Sequence, residues 1–357
     1  MYMKKSVNTE NKAGKKVKGI LILAAAAAAG AVIAGFLRKR LGCCKNKDAA
    51  VSRPQDLTAS DQDNEKSSSI RHYKGVLGEF DYDENEFALN DSGKTLRYCG
   101  NETDGSRITI PKGIKDCSDM FAGNEKLETP PVIPEGVEDC RLMFERCISL
   151  SAAPVIPEGV TECVMMFWGC KSLVEGPELP STVKRCLMMF ADCTAMKKGP
   201  ARIPGSARDC KDMFRGCESL ENAPEISEGL IDCSNMFNGC KALKTVPDIP
   251  STAKKSTGVY AHCEQITNAP KILNNAQSYG SLFSGCTALT EAPRLPDGIE
   301  RACHMFENCS SLTEPPVLPE GIKDTRGMFK GCTALKRRPD IPKSVTRDEE
   351  MFEGCNV

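Results

Sequence analysis

The sequence is poor in the groups that most enzyme chemistry needs. Its 357 residues include three His, one Trp and 6% aromatic residues. His72, His262 and His304 follow no common period, so the chain offers no nucleophile–base pair of the kind covalent catalysis uses. Neither sign of charge prevails: 47 basic residues against 48 acidic leave a net charge of −1, which excludes the basic field expected of a nucleic-acid-binding surface. The 20 Cys include no C-x2-C pair, the spacing that structural zinc sites use. No metal, cofactor or small-molecule substrate is therefore expected, and the protein reads as non-catalytic. Long apolar runs are missing too, with one exception.

That exception is GILILAAAAAAGAVIAGFL, residues 19–37, an uncharged stretch of 19 residues. At ~1.5 Å per residue it reaches ~28 Å, close to the hydrocarbon thickness of a bilayer. It follows a basic segment, residues 1–18, and runs into Arg38-Lys39-Arg40. A cleaved secretory signal shares the basic start and the small residues near Ala27 and Ala29. Continuation of the run through Ile33, Phe36 and Leu37 favours an uncleaved single-pass anchor. Basic residues flank both ends in near balance, so the positive-inside rule leaves the orientation open. Cys43 and Cys44 lie beside the basic run without the aliphatic residue a lipobox needs, and read as ordinary thiols. Residues 38–70 are polar and carry too little apolar surface to order themselves, hence a disordered juxtamembrane linker. Residues 71–116 alternate apolar residues with the turn sequences NDSG and TDG, which predicts a cap of two β-hairpins.

From residue 117 to 357 the chain repeats. Phe121, Phe144, Phe167, Phe190, Phe214, Phe237, Phe283, Phe306, Phe329 and Phe352, with Tyr260 filling one gap, are spaced by 23 residues except for one step of 24. A unit this short cannot bury its own apolar side, so about eleven units stack as a solenoid that needs a covered end. In CRLMFERC, residues 140–147, the apolar spacing predicts a short helix or 3₁₀ turn. The PVIPEGV segment is predicted to be extended and to carry the parallel ladder. The expected fold is thus an α/β solenoid with one short strand and one short helical turn per coil.

The units MFAGNEKLETPPVIPEGV, MFRGCESLENAPEISEGL, MFNGCKALKTVPDIP and MFKGCTALKRRPDIP resemble those of the BspA-like leucine-rich-repeat proteins, with their MFxGC and PxIP signatures. The resemblance covers residues 117–357. It implies a surface protein used in attachment or aggregation, a solenoid outside the cell, and a protein partner such as a host or neighbouring-cell surface protein. It carries over no catalytic residue.

One Cys column, Cys117 to Cys233, stops at Ser256, while a second runs from Cys147 to Cys355. Pairing within coils would strand the later members of the second column, and stacked Cβ atoms are too far apart for disulfides between coils. Most are expected to be free, buried thiols, which suits the cytosol or an exported place low in oxygen. One local departure from the consensus marks a candidate site. Trp168 stands just after a repeat Phe, where Glu145, Arg215 and Asn238 stand in other units, and Leu142, Val164, Met165, Leu187 and Met188 occupy mostly polar positions. These six residues are predicted to form an exposed apolar patch on the helical side that binds a partner. The resulting expectation is a membrane-anchored, protein-binding adhesion module; a membrane-tethered cytosolic scaffold is the alternative.

Overall fold

The computed structural model describes residues 69–272, 276 and 278–357. The basic segment, the apolar run of residues 19–37, Cys43 and Cys44, and all but the last two residues of the expected linker lie outside the described residues. Among those described, no helix is long and apolar enough to cross a membrane.

The amino-terminal part is built from antiparallel pairs. β1 (Ile70–Gly75) pairs with β2 (Gly78–Asp83), and β3 (Phe87–Leu89) with β4 (Leu96–Tyr98). NDSG closes the second pair, where the Asn90 side chain accepts from the Lys94 amide at 2.8 Å. TDG closes no hairpin. Asp104 caps a short 3₁₀ helix, Gly105–Arg107, through the Ser106 amide, as Asx side chains do at helix starts. The first hairpin instead turns at Val76 and Leu77, and its strand starts at Ile70, inside the stretch expected to be linker. Tyr98 continues the pairing into the repeats: its amide donates to the Met120 carbonyl at 2.9 Å, and its ring lies 5.4 Å from that of Phe121.

Each repeat is one coil, and the MF segment contains no helix. The amides of Cys140, Leu142, Phe144 and Arg146 donate to Glu162, Val164, Met166 and Trp168 in the next coil at 2.9, 3.0, 2.9 and 2.7 Å. The intervening amides of Met143, Glu145 and Cys147 close tight turns at 3.3, 3.1 and 3.1 Å. A helix would consume every amide within the segment, whereas here alternate amides point along the stack. Reversing the peptide planes in this way requires left-handed residues, and each MF segment has two, two places before and two after its Phe or Tyr. Gly commonly fills the second place, as at Gly123, Gly169, Gly216 and Gly239 with φ of 74°, 73°, 73° and 79°.

The parallel ladder also departs from expectation. The extended segments pair as strands at one place, β5 (Arg202–Ile203) with β6 (Glu225–Ile226), where Ser227 stands in place of the second Pro and its amide donates to the Ile203 carbonyl at 3.2 Å; in most other units that Pro removes the donor. Elsewhere single-residue bridges hold the coils, as in the series from Asp116 through Asp139, Glu162, Arg185 and Asp209 to Asp232. The core is a set of columns of buried Met, Phe, Cys, Leu and Ile. Its aromatic members stack from Phe121 to Phe352 with neighbouring centroids 5.4 to 6.0 Å apart. The Arg338 guanidinium lies 4.8 Å from the centre of the Phe352 ring and its Nη2 donates to the Val357 carbonyl.

Candidate functional site

The six patch residues fall on consecutive coils. Leu142, Met165 and Met188 share the first left-handed column, and the Leu142 and Met165 amides donate to the carbonyls of Val164 and Leu187 at 3.0 and 2.9 Å. Trp168 follows on the same coil as Met165, its amide closing a turn onto the Met165 carbonyl at 3.1 Å. All six are half-buried rather than fully exposed. The partly buried apolar side chains that pack against the core include Ala153, Leu179 and Ile226, and these six are not among them. The position just after the Phe is also less open than its polar residues suggest, because Glu145, Ala191 and Ser284 are buried there. The side bearing the patch is made of turns, not helices.

The backbone at this patch runs against local preference. Leu142, Met165 and Met188 have φ of 58°, 55° and 52°, the left-handed region that costs an ordinary residue roughly 1–2 kcal/mol. The other coils place Asp119, Asp212, Asn235, Gly258, Ser281, His304, Gly327 and Glu350 in this column. Most of those are Asp, Asn, Gly or His, which tolerate that conformation best. Three successive large apolar residues are the exception.

Trp168 is anchored by polar partners that sequence reasoning missed. Its Nε1 donates to Asp192 Oδ2 at 3.0 Å, and that oxygen also accepts from Arg215 Nη2 at 3.3 Å. The indole is therefore held by one hydrogen bond to the next coil, and the accepting Asp192 carboxylate is paired with Arg215 of the coil after. Nearby, burial raises the Asp212 carboxyl above its ordinary range. Also missed were Val132 and Val155, 80% and 85% exposed on the first two PxIP segments. The signal was present: the same column elsewhere carries Glu178, Arg202, Glu225, Asp248, Lys271 and Arg294, apart from a third valine, Val317, that is 88% exposed.

The remaining candidate chemistry resolves into structure. The 18 described cysteines are thiols. In the second column each donates to the carbonyl of the aromatic residue one coil back, as Cys170 Sγ does to Phe144 at 3.0 Å and Cys240 Sγ to Phe214 at 3.2 Å. Burial pushes Cys147, Cys233, Cys286 and Cys332 up to about 12, which keeps them protonated and unreactive at neutral pH. His262 and His304 sit in different left-handed columns, two coils apart. Among the described residues no group of three or more His, Cys, Asp or Glu is placed to hold a metal ion.

A family model described as "BspA type Leucine rich repeat region" matches residues 190–313 and 268–357, with six copies. No curated protein matches the chain. Among solved structures, a leucine-rich repeat protein from Bacteroides ovatus is 19% identical over 80% of this chain and 93% of its own, with a TM-score of 0.40. The T. pallidum leucine-rich repeat protein is 18% identical over 68% and 91%, with a TM-score of 0.38. A leucine-rich cell surface protein from Faecalibacterium prausnitzii is 17% identical over 74% and 93%, with a TM-score of 0.34.

Proposed function

Residues 190–357 belong to the BspA-type leucine-rich-repeat family, and from that premise we propose that the protein is a non-catalytic repeat module that binds protein partners at a surface. One observation carries this reading. Leu142, Met165 and Met188 hold left-handed backbone in three successive coils where Asp, Asn or Gly would be less strained, and strain of this kind collects at functional positions. Met side chains adapt to varied partners, and Trp is enriched among residues that dominate binding energy. Trp168 supplies the rigid element, oriented by Asp192. In this reading the apolar run of residues 19–37 anchors the chain in a membrane, with the solenoid displayed outside the cell to mediate adhesion. A membrane-tethered scaffold inside the cell uses the same patch.

Partner capture tests the proposal. Trp168→Ala combined with Met165→Ser should abolish recovery of proteins cross-linked to the full chain on intact cells, while moving the thermal midpoint little. Val132→Ser with Val155→Ser, on the PxIP side, should leave the same partners bound. A large fall in midpoint for the first variant would mean that the patch is internal packing.

A further inference from the structure

Ten of the 12 described methionines are buried, and the two that are not are Met165 and Met188. They hold the same left-handed place in successive coils. Each is followed directly by a methionine of the core, Met166 or Met189, which has no exposed surface. The chain thus sets a half-buried thioether beside a sealed one, twice, within the apolar patch. Few thiols compete for an oxidant arriving from solvent. Fifteen of the 18 described cysteines are buried, and burial also raises Cys303 and Cys355, which keeps the reactive thiolate scarce.

The column in which these two methionines stand carries polar residues in other coils, among them Asp119, Asp212, Asn235, Ser281 and His304. This place in the stack therefore accepts a polar side chain without disturbing the coil. A sulfoxide, polar and little larger than the thioether, is accommodated by the fold and felt at the surface.

Resting on the reading that this patch binds a protein, we propose that Met165 and Met188 are oxidation sites, and that their conversion to sulfoxides by hydrogen peroxide releases the partner. The sulfur lone pair attacks one peroxide oxygen and the O–O bond breaks. The departing hydroxide takes the proton of the transferred oxygen and leaves as water; sulfur gives up two electrons and the peroxide gains them. The product replaces an adaptable apolar side chain with a polar one, on a surface whose fit to a partner comes from its apolar area. Methionine sulfoxide reductases reverse the step.

The test exposes the purified full chain to hydrogen peroxide, removes the peroxide, and then maps the products and measures capture by cross-linking on intact cells. Fragment-resolved peptide mass spectrometry should find sulfoxide forming at Met165 and Met188 at least about tenfold faster than at Met166 and Met189, which react only from opened forms. The thermal midpoint should move by less than about 2 °C. Capture should fall about tenfold or more, the scale of a lost interface anchor, and sulfoxide reductase should restore it. Met165→Leu with Met188→Leu should capture the same amount with and without peroxide, whatever its untreated level. Equal rates within each methionine pair would overturn the site assignment, and capture that survives oxidation of both sites would overturn the release. Capture retained by untreated Trp168→Ala with Met165→Ser would instead sink the earlier reading of the patch; the mapping needs no partner and decides the oxidation sites by itself.

Discussion

Single residues set the turns, and glycine matters most where a carbonyl lies close. Gly229, with φ of 115°, faces the Gly205 carbonyl so closely that a Cβ would collide with it, whereas Gly136, with φ of 88°, has open space. Gly136→Ala should cost about 1 kcal/mol for left-handed backbone alone, and Gly229→Ala about 1–3 kcal/mol more because backbone must move. Denaturant unfolding of both variants checks this, and equal costs would contradict it. Residue-scale signals were also where the sequence was readable but misread. The spacing of Cys140, Met143, Phe144 and Cys147 fits a helix and equally fits successive three-residue turns. The Gly two places after the Phe and the Asp or Asn two places before it indicate left-handed turns, and hence no helix.

At the scale of the coil, the columns were legible because a fixed period leaves one way to stack them. The ladder was not, because PxIP segments look extended while their Pro residues deny them donors. Which residues sit at the surface was only partly legible: the six residues expected to be exposed are half-buried, and contacts between coils, such as the Trp168 indole on Asp192, have no signal in the repeat. The thiol columns make a pH prediction. Cys147, Cys233, Cys286 and Cys332 are held up at about 12 by burial, against an ordinary 9.0. Their neutral form is kept in the folded state, so their contribution is complete below pH 9 and is lost as pH rises from 9 toward 12. Each should then weaken the fold by about 1.4 kcal/mol per pH unit. Stability measured from pH 7 to 11 should be flat and then fall steeply above 9; a curve without that fall would contradict buried thiols. Among the 18 described cysteines of the native protein at pH 8, thiol reagents should reach the partly exposed Cys99, Cys303 and Cys355 first.

Along the whole molecule, stability passes from coil to coil. A coil in mid-stack has two neighbours to lose, so Phe237→Ala, which empties a fully buried site, should cost about 3–5 kcal/mol and expose adjoining coils to protease. Phe352 is only half-buried, and Phe352→Ala should open the last coil alone. Comparable protection loss from the two variants would contradict one-dimensional stacking. The central claim is that three coils keep large apolar residues in left-handed turns for the sake of a partner. The triple variant Leu142→Asn, Met165→Asn and Met188→Asn tests it most directly, since Asn tolerates that backbone. The account predicts a thermal midpoint unchanged or raised by a few degrees together with loss of partner capture; a lowered midpoint, or capture retained, would contradict it.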